Sequence, residues 1–173
     1  VSLFRTSMVV LDTETTGLPN DRDARVWEFG AVLLDPSGRE VRHMEVRGCP
    51  EVWHDRMAHV VQMGGFTATE LRALPTFGRY RREVLAWMGA ALAQGARITS
   101  YGTRFDQTML ERSGLVWPDA CWTRCILDTL GGQPLWAAAR RWGVEQVQPE
   151  HRALSDARTA AGVMVAVQRA RMQ

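Results

Sequence analysis

The chain alternates between short apolar runs and stretches with helical spacing. Residues 7–13 (SMVVLDT) are one apolar run, residues 26–35 (VWEFGAVLLD) a second, and residues 40–47 (EVRHMEVR) a third. The turn DPSG separates the last two, so the pattern predicts a buried strand followed by an antiparallel hairpin. Residues 49–66 are irregular and contain Pro50 and the pair Gly64-Gly65. Thr67 with Glu70 three positions on predicts a capping box at the start of a short helix. Pro75 opens a longer helix that Gly95 stops. Within it Phe77, Tyr80, Val84, Leu85, Met88 and Leu92 recur at helical spacing, which predicts a core stripe. A short apolar stretch, ARITSYG, and an amphipathic run, FDQTMLERSG, follow, the latter stopped by Gly114. A brief strand at 125–128, a helix at 134–142 and a final helix at about 154–171 complete the chain. Three strands first, then strands alternating with helices, predict an α/β fold with a mixed sheet in a single domain over residues 1–173.

Composition narrows the class. The 173 residues are 46% hydrophobic and 23% charged, enough apolar content for a sizeable core in one globular domain. No apolar run reaches the length of a membrane span, and VSLFRTSMVV lacks the parts of a secretion signal, so the cytoplasm is the expected compartment. Cys49, Cys121 and Cys125 are an odd number and are expected as reduced thiols. Cys121, Cys125 and His151 match no standard zinc spacing and lack an evident fourth ligand, so half-buried thiols are preferred. The net charge of +2 excludes a strongly basic nucleic-acid binder. All 21 basic residues are Arg, whose planar fork suits phosphate, although any one Arg group reads first as a solvated helix face.

Three places carry acidic or imidazole groups that a core would not ask for. Asp12 and Glu14 in VVLDTETTGL lie two apart on one strand, hence on one face, and repel each other. Asp106 in SYGTRFDQTML sits in a helix's opening turn, where it also reads as a residue favoured by the helix dipole. In HRALSDA, His151 precedes the final helix and Asp156 lies near its start, where Ser155 or Asp156 also reads as a helix-start residue. Taken together, three carboxylate-bearing segments and a histidine suit hard divalent cations such as Mg²⁺ or Mn²⁺, which would remove the Asp12–Glu14 repulsion. Two such ions form a known arrangement for phosphodiester cleavage.

VVLDTETTGL, YGTRFDQTML and HRALSDA, in this order, resemble the three motifs of the DEDDh, or DnaQ-like, 3′-to-5′ exonucleases, which include proofreading epsilon subunits, RNase T and TREX-type enzymes. The similarity spans nearly the whole chain: FTATELRALPTF and CILDTL also resemble segments of that family. The resemblance implies an RNase H-like fold with a five-stranded mixed sheet, helices on both faces and the active site at one end of the sheet. It implies two divalent ions, Mg²⁺ or Mn²⁺, with Asp12, Glu14, Asp106 and Asp156 as metal ligands and Asp12 between the two ions. His151 is implied as the general base, in keeping with an imidazole that titrates near ~6.5. Thr13, Thr15 and Thr16 are implied to meet the terminal nucleotide, and Leu18 and Phe105 to pack on terminal bases, a contact that tolerates any base. Tyr101 reads as a stacking residue or as core.

Two departures stand out. The family's "HN-x-x-F-D" is Tyr101-Gly102-Thr103-Arg104-Phe105-Asp106 here, without the Asn, and its "I-H-G-I-T" is Met63-Gly64-Gly65-Phe66-Thr67, without the His. All seven tryptophans read first as core, with Trp117 and Trp122 as candidates for stacking. The activity implied is release of nucleoside 5′-monophosphates from single-stranded or frayed 3′ ends, DNA before RNA. An RNA 3′-trimming enzyme and a low-activity, polymerase-associated binding module remain as alternatives. The retained carboxylates and His151 speak against the module. The short stretch after the last helix favours a stand-alone enzyme over a polymerase subunit.

Overall fold

A computed structural model describes residues 2–54, 57–149 and 151–173. Four strands form one sheet: β1 (Met8–Thr15), β2 (Val26–Leu34), β3 (Glu40–Arg47) and β4 (Arg97–Ser100), in the order β3-β2-β1-β4. β1 and β3 pair antiparallel with β2, and β4 pairs parallel with β1, so the sheet is mixed and its first three strands are antiparallel. The β2–β3 turn places Gly38 at φ +85, and Asp35 accepts from the Ser37 backbone N–H, as the DPSG pattern requires. Helices α1 (Ala58–Met63), α2 (Ala68–Arg72), α3 (Arg81–Ala93), α4 (Thr103–Arg112), α5 (Ile126–Thr129), α6 (Leu135–Arg141) and α7 (Ala153–Ala170) complete the chain. At α2 the predicted capping box forms: the Glu70 N–H donates to Thr67 Oγ1 at 3.1 Å and the Thr67 N–H to Glu70 Oε2 at 2.8 Å. Among the described residues no helix is long and apolar enough to cross a membrane.

The strand period of two divides the core. Val9, Leu11, Phe29, Ala31 and Leu33 face one way and pack with Val84, Met88, Met109 and Leu110 of α3 and α4. Met8, Val10, Val32 and Leu34 face the other way and pack with α6 and α7 through Ala138, Leu154, Ala160 and Val163. Both faces of β2 are therefore covered, which is why all nine of its residues are buried.

Four expectations are corrected. Among the described residues there is no fifth strand. The run at 125–128 turns into α5, and one parallel bridge between Ile98 and Trp122 is all that pairs there. β4 has only four residues. After the Thr123 N–H donates to the Ile98 carbonyl at 2.8 Å, the ladder is replaced by side-chain bonds, including Thr99 Oγ1 to the Arg124 carbonyl at 3.0 Å. The predicted long helix begins as a 3₁₀ turn at Phe77–Tyr80 before α3, and Leu85 lies outside the core stripe, because Val84 and Met88 already occupy the buried face. Of the tryptophans, Trp117 and Trp122 are buried in the α3/α4 core, whereas Trp136 on α6 is 57% exposed.

Gly30 fixes how α7 meets the sheet. It pairs with Asp12 across β1 and β2, and a β-carbon at this position would overlap the backbone of Ala153 and Leu154. The bare backbone lets the first turn of α7 rest directly on the sheet beside Asp12. Gly30→Ala is expected to destabilise the protein by about 3 kcal/mol, at the upper end for overpacking because the neighbours are main-chain atoms, as a urea titration would measure.

Candidate active site

The site is built at the end of β1. Asp12 and Glu14 continue the face of Met8 and Val10, the face that α7 covers, and both are half-buried. The β1–β2 register is irregular between Glu14 and Thr15, so the strand re-aims as it leaves the sheet. α7 then presents Asp156 in its first turn, the Asp156 N–H donating to the Arg152 carbonyl at 2.9 Å. His151, exposed and just ahead of the helix, has φ +55, in the left-handed region. One ligand atom each from Glu14, His151 and Asp156 lie within 4.8 Å of one another. No cysteine belongs to this group, and Cys49, Cys121 and Cys125 are all free thiols.

Asp106 arrives from the other face of the sheet. It is 2% exposed in the first turn of α4, and Thr13, which points away from Asp12 and Glu14, donates its hydroxyl to Asp106 Oδ1 at 2.7 Å. The strand's alternation thus sends DxE toward α7 and the intervening Thr13 toward α4.

Electrostatics show how crowded the cluster is. Burial, followed by the charges of Asp106, Glu14, Asp156 and Glu28, pushes Asp12 well above the usual carboxylate range. Glu14 is pushed up to about 8, first by burial and then by Asp156, Glu28 and Asp106, with Arg152 pulling the other way. Asp106 rises to about 6 through burial, restrained by hydrogen bonds from Thr13 and Ser100.

The remaining sequence-predicted residues are spread around this centre. Thr15 and Thr16 are buried and serve the turn: Thr15 Oγ1 donates to the Gly17 carbonyl at 2.8 Å, and Thr16 Oγ1 accepts from the Arg25 N–H at 2.9 Å. Leu18 is 64% exposed just beyond them, and Phe105 is half-buried against the α3/α4 core. Tyr101 lies in the α6/α7 core, where its hydroxyl donates to the Gln133 carbonyl at 2.6 Å, so it is placed as a packing residue and not on the open face. A cavity of about 450 Å³ lined by Leu3, Met8, Ile126 and Val167 touches none of the cluster's carboxylates.

One charged residue escaped the sequence reading. Glu28, opposite Glu14 in the β1–β2 ladder, is fully buried. Arg152 Nε donates to both of its carboxylate oxygens, at 3.0 and 3.1 Å, and Arg47 donates to Oε1 at 2.8 Å. Burial pushes its carboxyl up to about 8 against the pull of Arg152. The signal was present in VWEFGAVLL, where a lone Glu interrupts an apolar run just as Asp12 interrupts its own.

No curated protein sequence matches the chain. Solved structures do. The nuclease domain of 3′hExo, described as a DEDDh family member bound to rAMP, superposes with a TM-score of 0.76 at 19% identity, over 98% of this chain and 95% of that one. Exonuclease I of E. coli, in a zinc-bound complex with single-stranded DNA, gives 0.76 at 16% identity, over 97% of this chain and 41% of that one. A 3′-exonuclease that recognises the histone mRNA stem-loop gives 0.74 at 17% identity over 95% of this chain. The chain spans about 64% of that protein's length. At these identities the likeness establishes the fold. The sequence pattern of the RNase T family, described as exonuclease, matches residues 9–164, nearly the whole chain and every carboxylate of the cluster. The fold, the Asp-Glu-Asp-Asp and His order along the chain and this match together place the protein in the exonuclease family.

Proposed function

We propose that the protein is a metal-dependent 3′-to-5′ exonuclease that releases nucleoside 5′-monophosphates from single-stranded or frayed 3′ ends, with DNA the favoured substrate and RNA the alternative. The observation that carries this reading is the gathering of Glu14, His151 and Asp156 within 4.8 Å, beside Asp12 and Asp106, in a chain of this family.

The residues fit divalent cations. Carboxylates that burial, and after it their mutual repulsion, drives toward protonation suit a positive partner, and carboxylate oxygens select hard ions such as Mg²⁺ or Mn²⁺. Asp12, Glu14, Asp106 and Asp156 would hold two of them. When bound, such ions supply positive charge that lowers the pKa of water and stabilises the phosphoryl oxygens. His151, exposed beside Glu14 and Asp156, takes the proton from the attacking water on a ring nitrogen. Leu18, exposed just beyond the hydrogen-bonded Thr15–Thr16 turn, would pack on the terminal base, with Phe105 as a second apolar surface. Thr13 acts through Asp106, whose carboxylate it orients. Tyr101 supports the loop after β4 from the core side.

Matched single strands of DNA and RNA, labelled at either end and digested with Mg²⁺ or Mn²⁺, test the proposal. Mononucleotide released first from the 3′-labelled strand, with a ladder on the 5′-labelled one, is the expected result. Release from the 5′ end, or internal cuts alone, would overturn it. The DNA and RNA arms read the sugar preference directly. In the same assay His151→Ala is expected to lower kcat by about 10²- to 10⁴-fold with little change in KM.

A further inference from the structure

The buried ion pair between Glu28 and Arg152 touches no reacting group in the chemistry just described, yet it adjoins His151, which among the described residues is the one non-glycine residue in the left-handed region. Arg152 follows His151 and directly precedes α7. Its Nε–H is shared between Glu28 Oε1 and Oε2, and its Nη2 donates to Glu45 Oε1 at 3.2 Å. Arg47 joins from β3, donating to Glu28 and to Glu45 at 2.8 Å each. Both guanidiniums lie over the Phe66 ring, Arg47 at 4.7 Å and Arg152 at 5.1 Å from its centre. Arg152 is thereby held on three sides by groups from β2, β3 and the segment before α2.

Such an arrangement is poorly explained as a source of stability, because burying charges costs about as much as pairing them returns. Geometry explains it better. His151 adopts φ +55, which costs a non-glycine residue about 1–2 kcal/mol and persists only where the surroundings over-determine it. The neighbouring Arg152 supplies such a restraint, since Glu28 is fixed in the central strand directly opposite Glu14. A planar guanidinium with Nε on Glu28 and Nη2 on Glu45 is fixed in orientation as well as in distance, which a lysine would not reproduce.

We infer that Glu28 and Arg152 are positioning residues: anchored in β2, the pair holds the backbone of His151 in its left-handed turn so that the imidazole faces Glu14 and Asp156. The inference rests on the reading of His151 as the base. It makes His151 the main route by which Arg152 acts on the reaction, beside the charge by which it draws Glu14 down.

A double-mutant cycle tests it. Arg152→Gln is expected to lower kcat by about 10- to 100-fold with KM within about twofold, the range seen when a partner of an active-site group is lost. On the His151→Ala background the same substitution is expected to lower kcat by no more than about twofold. Glu28→Gln should follow the same pattern, and Arg152→Lys should fall between wild type and Arg152→Gln. In the metal-free protein, the imidazole NMR signals of His151, identified by their absence in His151→Ala, should be single in wild type and shifted or broadened in Arg152→Gln. Equal losses in both backgrounds, or an unaltered His151 signal, would overturn the inference. Should His151→Ala keep full kcat, the base reading fails while the NMR comparison still decides the positioning. If Arg152→Gln does not fold, the cycle is run with Arg152→Lys.

Discussion

Asp12→Asn is expected to lower nuclease activity by at least about 10³-fold and, at the same time, to raise the melting temperature of the metal-free protein by about 3–6 °C at pH 8. The first effect follows from its position. Asp12 feels the charges of Asp106, Glu14, Asp156 and Glu28, so it stands where the contributions of β1, α4 and α7 meet. Loss of an outer partner at a metal site costs about 10–100-fold, and loss of the central ligand should cost more. The second effect has the opposite sign because the same carboxylate is buried among like charges, and removing one of them relieves about 1–2 kcal/mol of repulsion, worth roughly 2–4 °C each in a protein of this size. Thermal melts in EDTA and single-strand digestion with Mg²⁺ measure the two halves. A variant that stays active rules out Asp12 as a metal ligand. A variant that melts lower shows that the carboxylate is held by favourable contacts and not by a cation.

The difference between Asp12 and Glu28 shows what a sequence can reveal about such a site. Both interrupt apolar runs, but Asp12 has Glu14 two residues away, so its repulsion is visible locally through the strand's period of two. Glu28 is explained only by Arg47 and Arg152, 19 and 124 residues distant, and by a ladder register that sets it opposite Glu14. The hairpin, the capping box at Thr67 and the last helix were legible because their signals are local. Residues 125–128 were misread because a run of four apolar and polar residues has no period long enough to separate a strand from a helical turn. Leu85 was misread for a related reason: a helix of thirteen residues against one sheet face buries a stripe of Val84, Met88 and Ala91, and the next apolar position falls outside it.

The metal-free protein is expected to lose stability as pH rises from about 5 to 8.5, its melting temperature falling by roughly 10 °C, whereas saturating Mg²⁺ or Mn²⁺ should remove most of that fall. The sign follows from Glu14, whose carboxyl is raised from 4.5 to about 8 on folding. Between those values the folded chain holds a proton that the unfolded chain has released, so stability decreases with increasing pH. Glu14 alone sets an upper bound of about 5 kcal/mol, and its protons are shared with Asp12 and Asp106, so the fall belongs to the cluster. A cation binds the ionised cluster and competes with those protons, so its stabilising effect should grow with pH. Melting curves across pH with EDTA or Mn²⁺ measure this directly, and Glu14→Gln should flatten the metal-free curve while leaving its acid limb in place. A metal-free protein whose melting temperature holds steady from pH 5 to 8.5 would mean that the carboxylates find their counter-charge within the chain. Arg152 draws Glu14 down but already donates to Glu28, so the proposed cations would supply the charge that the cluster lacks.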